Sequence, residues 1–231
     1  MEYIIKTNYG VPAFLNSLNK GVVAMKKALI VWGGWEGHEP KQVAEILAEV
    51  LRGKGFCVDV SNTLDSFADY EKLKTYDLIV PEWTMGTIKP EQLNPLLAAI
   101  REGTGIAGLH GGMGDSFRSE TEYQYMVGGQ WVAHPGGDGV TYTVHILDKS
   151  HPITYGIDDF QVTSEQYYMH IDPAIKVLAT TNFGDVVMPV AWTKTYGKGR
   201  VFYCSLGHTA SIVKMPPVLS IMANGMVWAA R

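Results

Sequence analysis

Three histidines stand where apolar runs break off: His38 after residues 28–32, His110 after 105–109, and His208 after 201–205. Imidazole titrates near neutrality, with an unperturbed pKa of about 6.5, and it also ligates metals. At a strand end its chemistry is proton transfer, metal ligation or substrate contact. His110 has the most specific surroundings, Gly108-Leu109-His110-Gly111-Gly112. A G-x-nucleophile-x-G turn uses its glycines because the chain bends sharply and backbone approaches backbone. The middle residue here is His, so serine or cysteine acyl-enzyme chemistry is not expected. Neither Ser116 nor Ser211 has a comparable placement.

Further polar and aromatic residues fall near the same breaks. Trp35 lies in Gly33-Gly34-Trp35-Glu36-Gly37, Glu82-Trp83 follows the run 78–80, and His134 sits among glycines. Glu165-Gln166-Tyr167-Tyr168 and His170 add a polar, aromatic stretch. Sugars are held by such mixtures, an aromatic face for the ring and a few fixed polar groups for hydroxyls. The expected substrate contacts are Trp35, Glu82, Trp83, Gly111, Gly112, His134, Tyr167 and His170. Plainer roles stand beside these. Glu39 can cap the helix that follows it, Glu82 can pair with a surface lysine, and Trp83, Tyr167 and Tyr168 can be core. His145, inside a strand, and His151-Pro152, a turn, are assigned to no site, and Asp158-Asp159 reads as a solvated turn. H-E-x-x-H and C-x-x-C are absent, so any metal, with zinc the first candidate, needs ligands gathered by the fold: His38, His110, His134 and His208. The 33–37 loop does not match G-x-G-x-x-G, so no dinucleotide site is indicated.

The elements that must position these residues alternate. Continuous apolar runs at 28–32, 78–80 and 105–109 read as strands buried on both faces, and 56–60 reads as a further strand. Between them Val43, Ile46, Leu47, Val50 and Leu51, then Leu93, Leu96, Leu97 and Ile100, recur at helical spacing, each stripe opened by a proline, Pro40 or Pro90. Residues 69–74 form a short helical candidate. This alternation predicts an α/β fold, an open and mostly parallel sheet with helices on both faces. After residue 112 the chain reads as loop-rich, then as strands at 140–147, 160–163, 176–180 and 190–193, a strand-rich antiparallel addition, with 201–205 as another buried strand. Leu219, Met222, Ala223, Met226 and Val227 stripe a final helix. In a parallel sheet His38, Glu82, His110 and His208 would line one cleft at the carboxyl edge.

The chain has 231 residues, 46% hydrophobic and 18% charged, with net charge −4. That suits one compact domain and argues against a nucleic-acid partner. No apolar run approaches a membrane span. Two cysteines, Cys57 and Cys204, both inside apparent strands, fit a reduced cytoplasmic protein. Residues 1–24 lack a signal-peptide core and read as an N-terminal extension, with Met25-Lys26-Lys27 looking like a start and 25–231 forming a single domain.

From residue 26 onward the chain resembles the trehalose-utilisation (ThuA-like) family. The resemblance rests on Gly37-His38-Glu39, the Gly108–Gly112 turn, Glu165 with Tyr167, Pro189-Val190-Ala191-Trp192, Gly199-Arg200-Val201-Phe202-Tyr203 leading to Gly207-His208, and Val227-Trp228-Ala229-Ala230. It implies a fold similar to class I glutamine amidotransferases and to flavodoxin. It also implies a role in disaccharide and keto-sugar catabolism, with a sugar oxidoreductase supplying the keto-sugar. His110 stands where an amidotransferase has its catalytic cysteine, so glutaminase activity is not expected. Three readings stay open. In the leading one, acid–base chemistry cleaves or converts a 3-keto disaccharide or glycoside, with His110 as base, Glu165 or His208 as acid and His38 as orienting group. The others are a non-catalytic sugar-binding protein and a metal-dependent hydrolase. A homodimer is a further expectation.

Overall fold

The computed structural model describes residues 25–231, so the expected extension, 1–24, lies outside the described residues. In chain order these form β1 (Lys27–Gly34), α1 (Pro40–Gly53), β2 (Cys57–Ser61), α2 (Tyr70–Leu73), β3 (Leu78–Thr84), α3 (Pro90–Glu102), β4 (Gly105–Leu109), α4 (His110–Gly114), α5 (Thr121–Val127), β5 (Gly129–Ala133), β6 (Val140–Ile146), β7 (Phe160–Ser164), β8 (Tyr168–Ile171), β9 (Lys176–Phe183), β10 (Val186–Tyr196), β11 (Gly199–Cys204), α6 (Ala210–Val213) and α7 (Pro216–Ala229).

Strand residues alternate between two faces, and each face has its own helices. Ala28, Ile30, Leu78, Val80, Ala107, Leu109, Phe202 and Cys204 pack with Val43, Leu47 and Leu51 of α1 and with Val218, Ile221 and Met222 of α7. Leu29, Val31, Ile79, Ile106, Val201 and Tyr203 pack with Leu93, Leu96 and Ile100 of α3 and with Tyr123, Met126 and Val127 of α5. Side chains two apart share a face, so a run apolar at every position is buried on both sides.

Nine strands form one sheet in the order β2-β1-β3-β4-β11-β10-β9-β6-β7. The first five pair in parallel, and β10, β9, β6 and β7 extend them antiparallel. The parallel part has the doubly wound order 2-1-3-4-5, whose strands reverse direction of progress between β1 and β3. Ligands in such sheets bind outside the carboxyl ends near that point. β3 and β4 pair only at Leu78 with Gly105 and Ile79 with Ile106. Beyond that pair β3 runs on beside β1 through Pro81-Glu82-Trp83, where the sequence suggested an ending, as far as Thr84. The strands part there, and α4 enters between their ends.

The region after residue 112 is more ordered than its composition suggests. α5 buries Tyr123, Met126 and Val127 and closes at Gly128, whose φ of +87° favours glycine. β5 and β8 form a separate antiparallel pair, so the 165–170 stretch read as polar and aromatic is partly a strand. Cys204 is buried and Cys57 exposed, both as free thiols. Among the described residues no helix is long and apolar enough to cross a membrane.

Candidate functional site

β4 delivers His110 at its carboxyl end, and the backbone turns there with φ of +43°. A side chain other than glycine at positive φ is strained by about 1–3 kcal/mol, and such residues gather at functional sites. The other described non-glycine residues of this kind are Glu39, Met85 and Phe117. Glu39 adjoins His38, and Met85 lines the cavity beside it. Packing holds His110 in place: Tyr203 Oη donates to its carbonyl at 2.9 Å, and Tyr167 stacks on its ring at 4.1 Å between centroids. The flanking glycines are needed for close approach. A Cβ on Gly108 would lie 2.5 Å from that of Met113, and one on Gly112 would lie 2.4 Å from Glu82 Oε2.

His38 follows β1, His208 follows β11, and Glu165 follows β7. Donor atoms of His38, His110, Glu165 and His208, all buried, lie within 4.8 Å of one another. Ring centroids are 4.6 Å apart for His38 and His110, 5.1 Å for His38 and His208, and 5.4 Å for His110 and His208. Glu165 Oε2 is the common point, 3.1 Å from His110 Nε2, 3.3 Å from His208 Nδ1 and 3.8 Å from His38 Nε2. Metal bonds of ~2.0–2.2 Å at tetrahedral to octahedral angles put neighbouring donors roughly 2.8–3.6 Å apart. The His110 and His208 distances to Glu165 fall in that range, and the His38 distance lies outside it by a few tenths of an ångström. His134, half-buried, reaches Glu165 Oε1 at 3.7 Å from the other side.

Outer partners fix two of the rings. His110 Nδ1 donates to the Ser205 carbonyl at 2.8 Å, and His38 Nδ1 is 2.8 Å from Thr84 Oγ1. His208 Nδ1 is buried without a hydrogen-bond partner. Burial pushes the His110 imidazole down to about 4, outweighing a hydrogen bond to the Glu165 carboxylate, which raises it. Burial pushes Glu165 up, but the surrounding imidazoles, His110 foremost, outweigh this and hold the carboxyl well below its usual range.

A cavity of about 210 Å³ opens beside the cluster, walled by Trp35, His38, Trp131, His134 and Tyr167. At its rim Arg118 makes a two-pronged pair with Asp115, at 2.6 and 2.8 Å, and lies over the Trp131 ring at 4.6 Å. Stacking rings around a polar centre suit a sugar, whose C–H faces are apolar and whose edges bear hydroxyls.

Not every expected contact is here. Glu82 does not line the cleft. It is buried beneath Gly112, with Oε2 unpartnered, so no surface lysine pairs with it either. Trp83 packs over Gly33 and Gly86. Gly111 and Gly112 serve through their lack of side chains, since a Cβ on Gly111 would meet the His38 ring at 2.6 Å. His170 lies exposed on β8 opposite Gln130, beside a separate depression lined by Tyr125 and Asp172. Glu39 does not cap α1 with its side chain. Its Oε2 accepts from Ala210 N at 2.8 Å, tying the His38 loop to the start of α6. Asp158 and Asp159 are exposed, as a solvated turn should be, and Asp159 also pairs with His145 at 2.9 Å. The sequence reading missed Thr84, Asp115, Arg118 and Trp131. Only the aromatic type of Trp131 carried any signal.

The fold matches known proteins. A ThuA-like protein from Parabacteroides merdae ATCC 43184 is 19% identical, covering 89% of each chain with a TM-score of 0.72. One from Bacteroides uniformis ATCC 8492 is also 19% identical, covering 88% of this chain and 91% of that one with a TM-score of 0.73. A cytoplasmic protein from Salmonella typhimurium LT2 is 16% identical over 89% of this chain and all of its own, with a TM-score of 0.68. No curated protein sequence matches the chain. The family described as trehalose utilisation, ThuA, matches residues 27–229, and the chain belongs to that family.

Proposed function

We propose that the chain converts a sugar at a divalent cation held by His38, His110, His208 and Glu165, with His134 beside them as the proton-transfer group. The orientation of His110 carries this reading. The Ser205 carbonyl can only accept, so Nδ1 bears the ring proton and Nε2 turns a lone pair onto Glu165 Oε2 at 3.1 Å. Two lone pairs at this distance repel unless a proton or a metal cation lies between them. His38 Nε2 and the unpartnered His208 Nδ1 face the same point. Imidazoles with one carboxylate suit zinc, and outer hydrogen bonds such as those of His110 to the Ser205 carbonyl and of His38 with Thr84 are what ligating histidines require. When bound, such an ion polarises a sugar carbonyl or hydroxyl oxygen as a Lewis acid.

The chain's own residues do the rest. Trp35, Trp131 and Tyr167 hold a sugar ring by its faces. His134 is half-buried, so it can pass a proton between solvent and substrate. The substrate class is a glycoside or keto-sugar, with a 3-keto disaccharide as the leading case. A 3-keto group acidifies the hydrogen on C2. Its removal expels the glycosidic oxygen from C1, and that oxygen takes up a proton. A sugar oxidation must supply such a substrate.

The test is turnover of 3-keto-trehalose. It should stop in chelator and return with zinc. His134→Ala should lower turnover by about 10²–10⁴-fold with metal content retained. Full turnover by metal-free protein would move catalysis back to His110 and Glu165 as base and acid. Sugar binding without turnover in metal-replete protein would make the chain a binding module.

A further inference from the structure

Two cavities flank the four-donor cluster, and the aromatic one is only half of the arrangement. The other, about 280 Å³, is lined by Asp138, Thr163, Ser164, His208, Thr209 and Ser211. We propose that it is a subsite for an uncharged, hydroxyl-bearing unit, the second ring of a glycoside whose first ring lies in the aromatic cavity. This rests on the reading of the cluster as a sugar-converting site.

The wall chemistry sets the class of ligand. It offers one carboxylate and several hydroxyls, with no lysine or arginine. A carboxylate accepts from two neighbouring hydroxyls, and Ser or Thr both donates and accepts, which matches a polyol. A phosphate or uronate would meet Asp138 with like charge. Ser164 gives an independent sign. It is 2% exposed and its Oγ has no partner in the protein. A buried hydroxyl is rarely left so, and a ligand hydroxyl would satisfy it.

The two cavities are built as one device. His38 lines the first and His208 the second, with ring centroids 5.1 Å apart. The loop between β5 and β6 contributes His134 to one and Asp138 to the other. The Glu39 bond to Ala210 N holds the turn bearing Thr209 and Ser211 against the His38 loop. Each volume alone falls below the ~300 Å³ at which small-molecule sites begin, and the pair together falls within that range. A two-unit ligand spanning the cluster fits both facts.

The experiment is calorimetric titration of the zinc-loaded full chain with glucose, trehalose and trehalose 6-phosphate. Trehalose should bind at least about 10-fold tighter than glucose, and the phosphate should cancel that gain. Ser211→Trp, at an exposed position on the rim, should bring the trehalose-to-glucose ratio close to one. Asp138→Ala, at an exposed position, should cut the ratio by about 5-fold or more and serves if the Trp variant does not fold. An unchanged ratio in a folded variant, or trehalose no tighter than glucose, overturns the second subsite. Glucose binding lost in Trp131→Ala supports the aromatic cavity separately. Failure of either sugar to bind the parent protein overturns the sugar reading and the subsite together.

Discussion

Replacing Glu82 by Gln should stabilise the protein, and by more as the pH rises. Glu82 is 1% exposed, Oε2 has no partner, and burial alone raises its carboxyl well above the usual range. The unfolded carboxyl gives up its proton near ~4.3, whereas the folded one keeps it. Above that pH the folded state binds more protons than the unfolded, so stability falls as pH increases. The slope is about 1.4 kcal/mol per pH unit until the folded pKa is reached. Gln has the same shape and no charge, so it removes the slope. Urea unfolding at pH 5.5 and 6.5 should show the advantage of Glu82→Gln widening by about 1.4 kcal/mol. Parallel pH profiles for the two proteins would mean that Glu82 ionises freely in the fold. The picture of an uncompensated carboxyl behind the His110 turn would then be wrong.

Thr84→Val removes the oxygen 2.8 Å from His38 Nδ1 while keeping its shape. Zinc affinity, read by competition with a chromophoric chelator, should fall by about 10–100-fold with the fold unchanged. Gly112→Ala brings a Cβ to within 2.4 Å of Glu82 Oε2 and should cost about 1–3 kcal/mol by denaturant unfolding. A Glu82→Ala background should return most of that loss, because the two sites share one space.

The histidines were legible because each follows a run apolar at every position, and such runs are strands buried on both faces. The turn at His110 was legible from its glycines, and α1 and α3 from their prolines and apolar stripes. Glu165 sits after β7 in the antiparallel addition, where no parallel-sheet rule places a residue at the carboxyl edge. Its presence among the imidazoles follows from how β6 and β7 pair beyond β9. Thr84 and the Ser205 carbonyl were not legible. One lies past the apolar part of β3, and the other is a backbone atom, which sequence pattern does not mark. Trp131 was hidden because β5 pairs with β8 outside the main sheet. α5 was hidden because seven residues are too few to establish a helical period.

The metal content of the purified chain bears on all of this at once. Elemental analysis of protein prepared without chelator should give close to one divalent ion per chain. Occupancy should fall sharply in His110→Ala and Glu165→Gln, whose donors face each other at 3.1 Å. Thr84→Val should fall between these and the parent. A parent protein that stays metal-free after incubation with zinc, manganese, iron and nickel would contradict the cation site. So would variants of His110 and Glu165 that bind metal as the parent does.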